Sequence, residues 1–191
     1  MRPFRSENIS KPRGTLPFAY PSIEVPLDVE VGCGVGWHPI RYVRENPKRT
    51  LVAIEHTRTR FSRFERRIAS HDPLPNLHPV HADAVKWITH FLRPATVDRY
   101  FFLYPNPRPK PWYSMPFFAR VVETLKVGGT VTLATNESFY YVAAKNYFTR
   151  VWGLEIVSDR SIAPIEKPRT HFEKKYLSRG ESCFDLVVRK S

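Results

Sequence analysis

The stretch Leu27-Asp28-Val29-Glu30-Val31-Gly32-Cys33-Gly34-Val35-Gly36 decides how this chain is read. Leu27–Val31 is a short strand, and it runs directly into three glycines spaced two apart. Glycine at such a junction lets the backbone take positive φ and approach a ligand closely. The segment Trp37–Glu45 that follows is predicted to be a helix, which Pro47 ends or follows. Strand, glycine turn and helix together make the first unit of a doubly wound α/β sheet, whose ligands bind beyond the carboxyl ends of the strands.

The alternation continues outward from this unit. Residues 51–54 are an apolar run of buried-strand type closing on Glu55. Residues 57–70 read as a helix, with Phe61, Phe64 and Ile68 on one face and Arg60, Arg63 and Arg67 on another. Leu77–His81 reads as a third strand, 84–92 as a third helix, and 97–104 as a fourth strand. That strand ends in a turn carrying Pro105, Pro107, Pro109 and Pro111. Residues 117–126 are predicted to form a helix stopped by Gly128-Gly129, 130–134 a strand, and 137–152 a long helix ended by Gly153. Residues 154–157 and 183–188 supply the last two strands, with no helix predicted between them. The expectation is an α/β fold, doubly wound, with a mostly parallel seven-stranded sheet and an antiparallel edge hairpin.

The domain is expected over residues 27–191. Before it, residues 1–26 hold five prolines (Pro3, Pro12, Pro17, Pro21, Pro26), which forbid regular ladders and helices, and the cations Arg2, Arg5, Lys11 and Arg13. This arm reads either as a tail packed across the domain or as a nucleic-acid contact.

Composition narrows the class. The 191 residues include 42% hydrophobic and 14% aromatic residues, which excludes disorder as the main description. No apolar run approaches the roughly 18 residues of a membrane span. Cys33 and Cys183 are too few for a disulfide framework, so a reducing, cytoplasmic setting is expected. Thirty Lys and Arg against 18 Asp and Glu give a net charge of +12, which points to a polyanionic partner. Nine of those cations fall within residues 41–67 against Glu45, Glu55 and Glu65, a patch predicted to make salt-dependent phosphate contacts.

The glycine spacing is G-x-G-x-G, not the G-x-G-x-x-G of dinucleotide sites. Glu30, two residues ahead of Gly32, would repel a phosphate and suits a cationic ligand. S-adenosylmethionine has no phosphate, and its charged groups are an amine, a carboxylate and a sulfonium. Glu55 follows the second strand, where a carboxylate can accept both ribose hydroxyls, and Asp83 follows the third, where an acid can accept from an adenine amine. The set Glu30, Gly32, Gly34, Gly36, Glu55 and Asp83 therefore favours S-adenosylmethionine over a nicotinamide cofactor. A lone acid at a strand end is also a common helix N-cap. Cys33 reads as a packing residue, and His78 and His81 fall on opposite faces of a strand, so no metal site is expected.

Prolines at alternate positions stiffen the turn after the fourth strand and pre-place Asn106 and Lys110 beside the pocket. Asn136, after the fifth strand, is a second polar group at the same end, or a helix cap. Residues 168–175 lack apolar periodicity; they read either as a solvated loop or as a segment that returns over the pocket.

Taken in order, these motifs resemble the tRNA (guanine-N7)-methyltransferase family of bacterial type over nearly the whole domain. Glu30-Val31-Gly32-Cys33-Gly34-Val35-Gly36 is similar to its cofactor loop, Ala53-Ile54-Glu55 to its ribose-binding acid, and His81-Ala82-Asp83-Ala84 to its adenine-side acid. Phe101-Phe102-Leu103-Tyr104-Pro105-Asn106-Pro107 resembles its strand-four motif, followed by a substrate lysine at Lys110. Thr170-His171-Phe172-Glu173 resembles its C-terminal Thr-x-Phe-Glu signature.

The resemblance implies a class I methyltransferase fold, S-adenosylmethionine as cofactor and tRNA as partner. It implies methylation of guanine N7, with Asn106 at the catalytic and cofactor-side position. Lys110, Asn136, Thr170, His171, Phe172 and Glu173 would bind substrate. The family carries aspartates where this chain has Asn106 and Asn136. Other outcomes weighed are methylation of an exocyclic amine and an RNA-binding relative with weak turnover. A homo-oligomer or partner subunit is not indicated.

Overall fold

The computed structural model describes residues 3–12, 24–106, 110–164 and 166–191. Much of the predicted arm, Arg2 and Arg13 included, and Pro107, Arg108 and Pro109 of the proline-rich turn lie outside the described residues.

Seven strands form one sheet: β1 (Leu27–Val31), β2 (Thr50–Glu55), β3 (Leu77–His81), β4 (Val97–Leu103), β5 (Leu125–Thr135), β6 (Leu154–Ile162) and β7 (Cys183–Lys190). Their order is β3-β2-β1-β4-β5-β7-β6. β1 runs parallel to β2, with Val31 opposite Ile54, and parallel to β4, with Glu30 opposite Phe101. β7 is antiparallel to both β5 and β6. The chain winds outward from β1 to β3 and then crosses to β4, so the order reverses between β1 and β4. In such sheets the crevice at that switch point receives the ligand.

All of β1 and β2 is buried, which is why β2 reads as an apolar run; β1 alternates, and its buried acids Asp28 and Glu30 are each held by a partner. α1 (Trp37–Glu45) and α2 (Arg58–Ala69) cover one face through a core that includes Ile40, Val43, Phe61, Phe64 and Phe101. α3 (Ala84–Phe91), α4 (Phe118–Thr124) and α5 (Ser138–Asn146) cover the other through Trp87, Tyr100, Phe102, Phe118, Tyr140 and Phe148. Each such side chain, fully buried, contributes about 1.5–3 kcal/mol. One buried charge sits at the amino end of the sheet. Asp28 accepts from the Tyr42 hydroxyl at 2.7 Å and from the Arg49 guanidinium, so its desolvation is offset by three donated bonds. Arg49 is thereby withdrawn from the cationic patch. Among the arm residues described, Phe4 packs edge-on against Phe117 and His90 donates to the Ile9 carbonyl at 2.7 Å.

Three local expectations are corrected. The helix predicted over 117–126 ends at Thr124, because Leu125 is fully buried opposite Val97 and the chain extends at once. Gly128-Gly129 therefore lies in β5, where Gly128 (φ +78°) serves the irregularity between the Val97–Leu125 and Arg99–Thr130 pairs. The long helix over 137–152 divides into α5 and a π-helical turn, Tyr147–Val151, before Gly153. Finally, a sixth helix, α6 (His171–Leu177), stands between β6 and β7, so the antiparallel edge is not a simple hairpin.

Candidate cofactor site at the glycine loop

The glycine loop is bound to β2 by backbone. Gly32 and Cys33 both donate to the Ile54 carbonyl, at 2.8 and 3.0 Å. Gly32, Gly34 and Gly36 all have positive φ (+75°, +62° and +82°), the conformation that requires glycine at alternate positions. At Gly36 space demands it too: an added Cβ would lie 2.0 Å from the Phe64 ring.

Glu55 holds this loop closed. Its Oε2 accepts from the Gly34 amide at 2.9 Å and its Oε1 from the Thr57 amide at 2.7 Å. A carboxylate offers about four lone-pair directions, so Glu55 keeps acceptor capacity beyond these two bonds. Glu30 is buried at the end of β1, with Oε2 2.7 Å from Nδ1 of His38 on α1. Asp83 caps α3, accepting from the Lys86 amide at 3.1 Å.

The C-terminal signature packs over the loop. Thr170 caps α6 by accepting from the Glu173 amide at 3.0 Å. Glu173, 1% exposed, accepts from the Arg169 amide and guanidinium and from the Tyr104 hydroxyl. Arg169 also pairs with Asp185 of β7 at 2.8 Å. Thr170 and Glu173 are thus turned into the framework, a capping arrangement extended by a buried ion pair. His171 and Phe172 instead face the glycines: His171 Cε1 lies 3.6 Å from the point a Cβ on Gly34 would occupy, and its ring meets Trp37 edge-on.

A cavity of about 10 Å³ remains between Glu30, the glycine loop, Leu103 and residues 170–172. The structure brings together Glu30, Gly32, Gly34, Thr170, His171 and Phe172 on its wall, with Trp37 and His38. Sequence reading missed these last two, although both directly follow Gly36. Gly36, Glu55 and Asp83 support the loop or the next helices and do not line it. Asn106 and Lys110 stand exposed after β4, and Asn136 donates to Glu181 at 3.0 Å.

The field is acidic at the glycine loop, from Glu30 and Glu55, and basic at His171, from Arg60, Arg67 and Lys175. The Cys33 thiol is pushed up by burial and then by Glu30 and Glu55, which keeps it a protonated packing group. Burial, then Cys183 and Glu173, pushes the Tyr104 phenol well up, so it remains a donor. Burial, and then Arg60, Arg67 and Lys175, hold the His171 imidazole below its usual value. With His171 and Phe172 seated against the glycines, the cavity is smaller than a nucleoside. Among the described residues, no helix is long and apolar enough to cross a membrane.

Comparisons with known proteins agree with this architecture. The chain is 25% identical to a tRNA (guanine-N(7)-)-methyltransferase of Aquifex aeolicus over 88% of its own length, and spans 58% of that protein. It is 25% identical to the corresponding protein of Nitrosomonas eutropha, covering 94% of this chain and 87% of the other. For that of Lactiplantibacillus plantarum the identity is 29%, covering 81% and 76%. Among solved structures, the 16S rRNA methyltransferase KamB superposes with a TM-score of 0.69 at 18% identity, covering 87% of this chain and 88% of that one. A precorrin-6y C5,15-methyltransferase of Geobacter metallireducens superposes at 0.65 with 15% identity, covering 88% and 81%. The Methyltransf_4 family model, described as "Putative methyltransferase", matches residues 24–186, from the turn before β1 into β7. The chain belongs to this methyltransferase family.

Proposed function

We propose that the protein is an S-adenosylmethionine-dependent methyltransferase that methylates guanine N7 in tRNA. The observation that carries this reading is the glycine loop with Glu30 and Glu55, which lies at the sheet's switch point in a chain of a methyltransferase family. The tRNA and the N7 position come from the relatives, which bear that activity in their names.

Glu30 would hold the cofactor's amine, Glu55 the ribose hydroxyls and Asp83 the adenine amine, with the backbone of Gly32–Gly34 beneath. The cofactor supplies an electrophilic methyl group. Guanine N7 already offers an in-plane lone pair, so no side chain need deprotonate it. The protein's task is alignment and exclusion of water, and such positioning is worth about 7–11 kcal/mol in favourable cases. Asn106 would accept from the guanine edge through its amide oxygen, and Lys110 would contact phosphate or base. Asn136, His171 and Phe172 would border the base, while Thr170 and Glu173 hold the segment that presents them. A cytoplasmic location follows from a tRNA substrate.

The test is to titrate the protein with S-adenosylhomocysteine by calorimetry. It is then incubated with labelled S-adenosylmethionine and bulk tRNA, and the labelled nucleosides are mapped. N7-methylguanosine is the expected product. A methylated exocyclic amine would move the assignment to the amino-methyltransferase reading. RNA binding without transfer would make the chain a binding relative.

A further inference from the structure

We infer that the cleft between α1, α2 and the strand of chain entering α6 binds a backbone phosphate of the RNA substrate. This deepens the tRNA reading above and rests on it. The cleft, about 400 Å³, is lined by Trp37, Arg41, Arg44, Glu45, Arg67 and Lys167 among others. Its single carboxylate, Glu45, is already paired with Arg41 at 2.7 Å. Arg44 and Lys167 are exposed on its rim.

The way Arg67 is held is the decisive feature. Its Nε donates to the Val35 carbonyl at 3.0 Å, and its guanidinium carbon lies 5.7 Å from the centre of the Trp37 ring. The Lys174 ammonium lies 5.8 Å from the same ring. A cation positioned by a carboxylate is neutralised by it, whereas one positioned by a carbonyl and an aromatic face keeps its charge for an arriving anion. Trp37 is in this respect a positioning residue: it places two cations at the mouth of the glycine loop without cancelling them. The combined field of Arg60, Arg67 and Lys175 is felt at His171, across the same mouth.

Arg67 also lines a second basin, with Val35, Arg63, Arg66 and Ser70, so the positive surface continues along α2 beside the glycine loop. A continuous track suits a chain of phosphates. A lipid surface would call for apolar side chains beside the cations. The exposed large apolar residues are Val127 of β5, Phe139 and Val142 of α5, Val151 of the π-helical turn and Val157 of β6, and none of them lines this cleft, whose apolar members Trp37 and Ile40 are half-buried and buried.

The experiment measures binding of labelled bulk tRNA by the full chain across a range of salt, with S-adenosylhomocysteine affinity recorded in parallel. The variants are Arg44→Ala alone and with Arg67→Ala, Trp37→Leu, and Arg150→Ala as a single-charge control on the far face. The double variant should reduce the slope of log K against log salt by roughly 1–2, and Arg44→Ala alone should reduce it by roughly 1 with S-adenosylhomocysteine affinity unchanged. Trp37→Leu should weaken tRNA binding in the same direction, and Arg150→Ala should leave the slope in place. An unchanged slope in the double variant overturns the inference, as does a fall of half that size or more with Arg150→Ala, which would mean net charge alone is read. Inorganic phosphate that saturates the cleft while the double variant still binds tRNA normally would make it a free-phosphate site. Capture by phosphatidylserine vesicles through Arg44 and Arg67, with tRNA binding intact, would make it a lipid site. Failure to bind S-adenosylhomocysteine would sink the methyltransferase reading and leave the slope result standing.

Discussion

The Tyr104 hydroxyl lies 2.9 Å from Glu173 Oε2, so the residue that follows β4 is tied by one hydrogen bond to the first turn of α6. Tyr104 reaches this position with φ +54°, an uncommon conformation for a bulky residue, and its amide donates to the Ala134 carbonyl at 2.7 Å. The tie fixes α6 over the glycine loop. Tyr104→Phe should destabilise the protein by about 1–2 kcal/mol, and Glu173→Gln by about 1–3 kcal/mol, since Arg169 retains Asp185. Urea unfolding would measure both, and amide exchange should quicken first in α6.

The glycines of the loop separate by substitution. Gly36→Ala combines φ +82° with a Cβ 2.0 Å from the Phe64 ring, and should cost about 3–5 kcal/mol. Gly32→Ala meets nothing within 4 Å and should cost only about 1–2 kcal/mol for its φ of +75°. A folded Gly32→Ala protein with weakened S-adenosylhomocysteine binding is the expected calorimetric result.

Replacing the two amides by acids should have opposite consequences. Asn106→Asp, exposed after β4, should raise kcat/KM for tRNA roughly tenfold if a charged acceptor serves the guanine edge. Asn136→Asp would instead set a carboxylate against Glu181, whose Oε2 now accepts from Asn136 at 3.0 Å. It should lower stability by about 1 kcal/mol, and Glu181→Gln in the same chain should restore it.

Acid should weaken the fold through two histidines. Burial holds His78, and burial with nearby cations holds His171, below the usual value of 6.5. Below that pH the unfolded chain takes up protons that the folded chain does not, so the histidines' contribution to stability falls as pH drops from about 6.5 and is constant above it. His171→Gln should remove part of this slope in urea titrations at pH 5 and pH 7.

Much of the sheet is legible from sequence because its signals are local. β1, α1 and β3 keep their predicted bounds, each set by an apolar run meeting a glycine, a proline or an acid. α6 was not legible: what fixes it is polar, the Thr170 cap and the Arg169 pairs with Glu173 and Asp185, and Asp185 is distant in sequence. The acids at the strand ends show the other limit. Spacing places Glu55 and Asp83 at the right edge of the sheet, but it cannot tell a carboxylate that closes a loop or caps a helix from one left wholly to a ligand.

The place of β7 has a consequence for assembly. Among the described residues, β6 has no neighbour in the sheet other than β7, and β7 joins it to β5. Though earlier in sequence, β6 must wait for Cys183–Lys190 before it can pair. A chain cut short before Cys183 would lose two strands rather than one and expose the flank of β5 as an open edge, a template for association between copies.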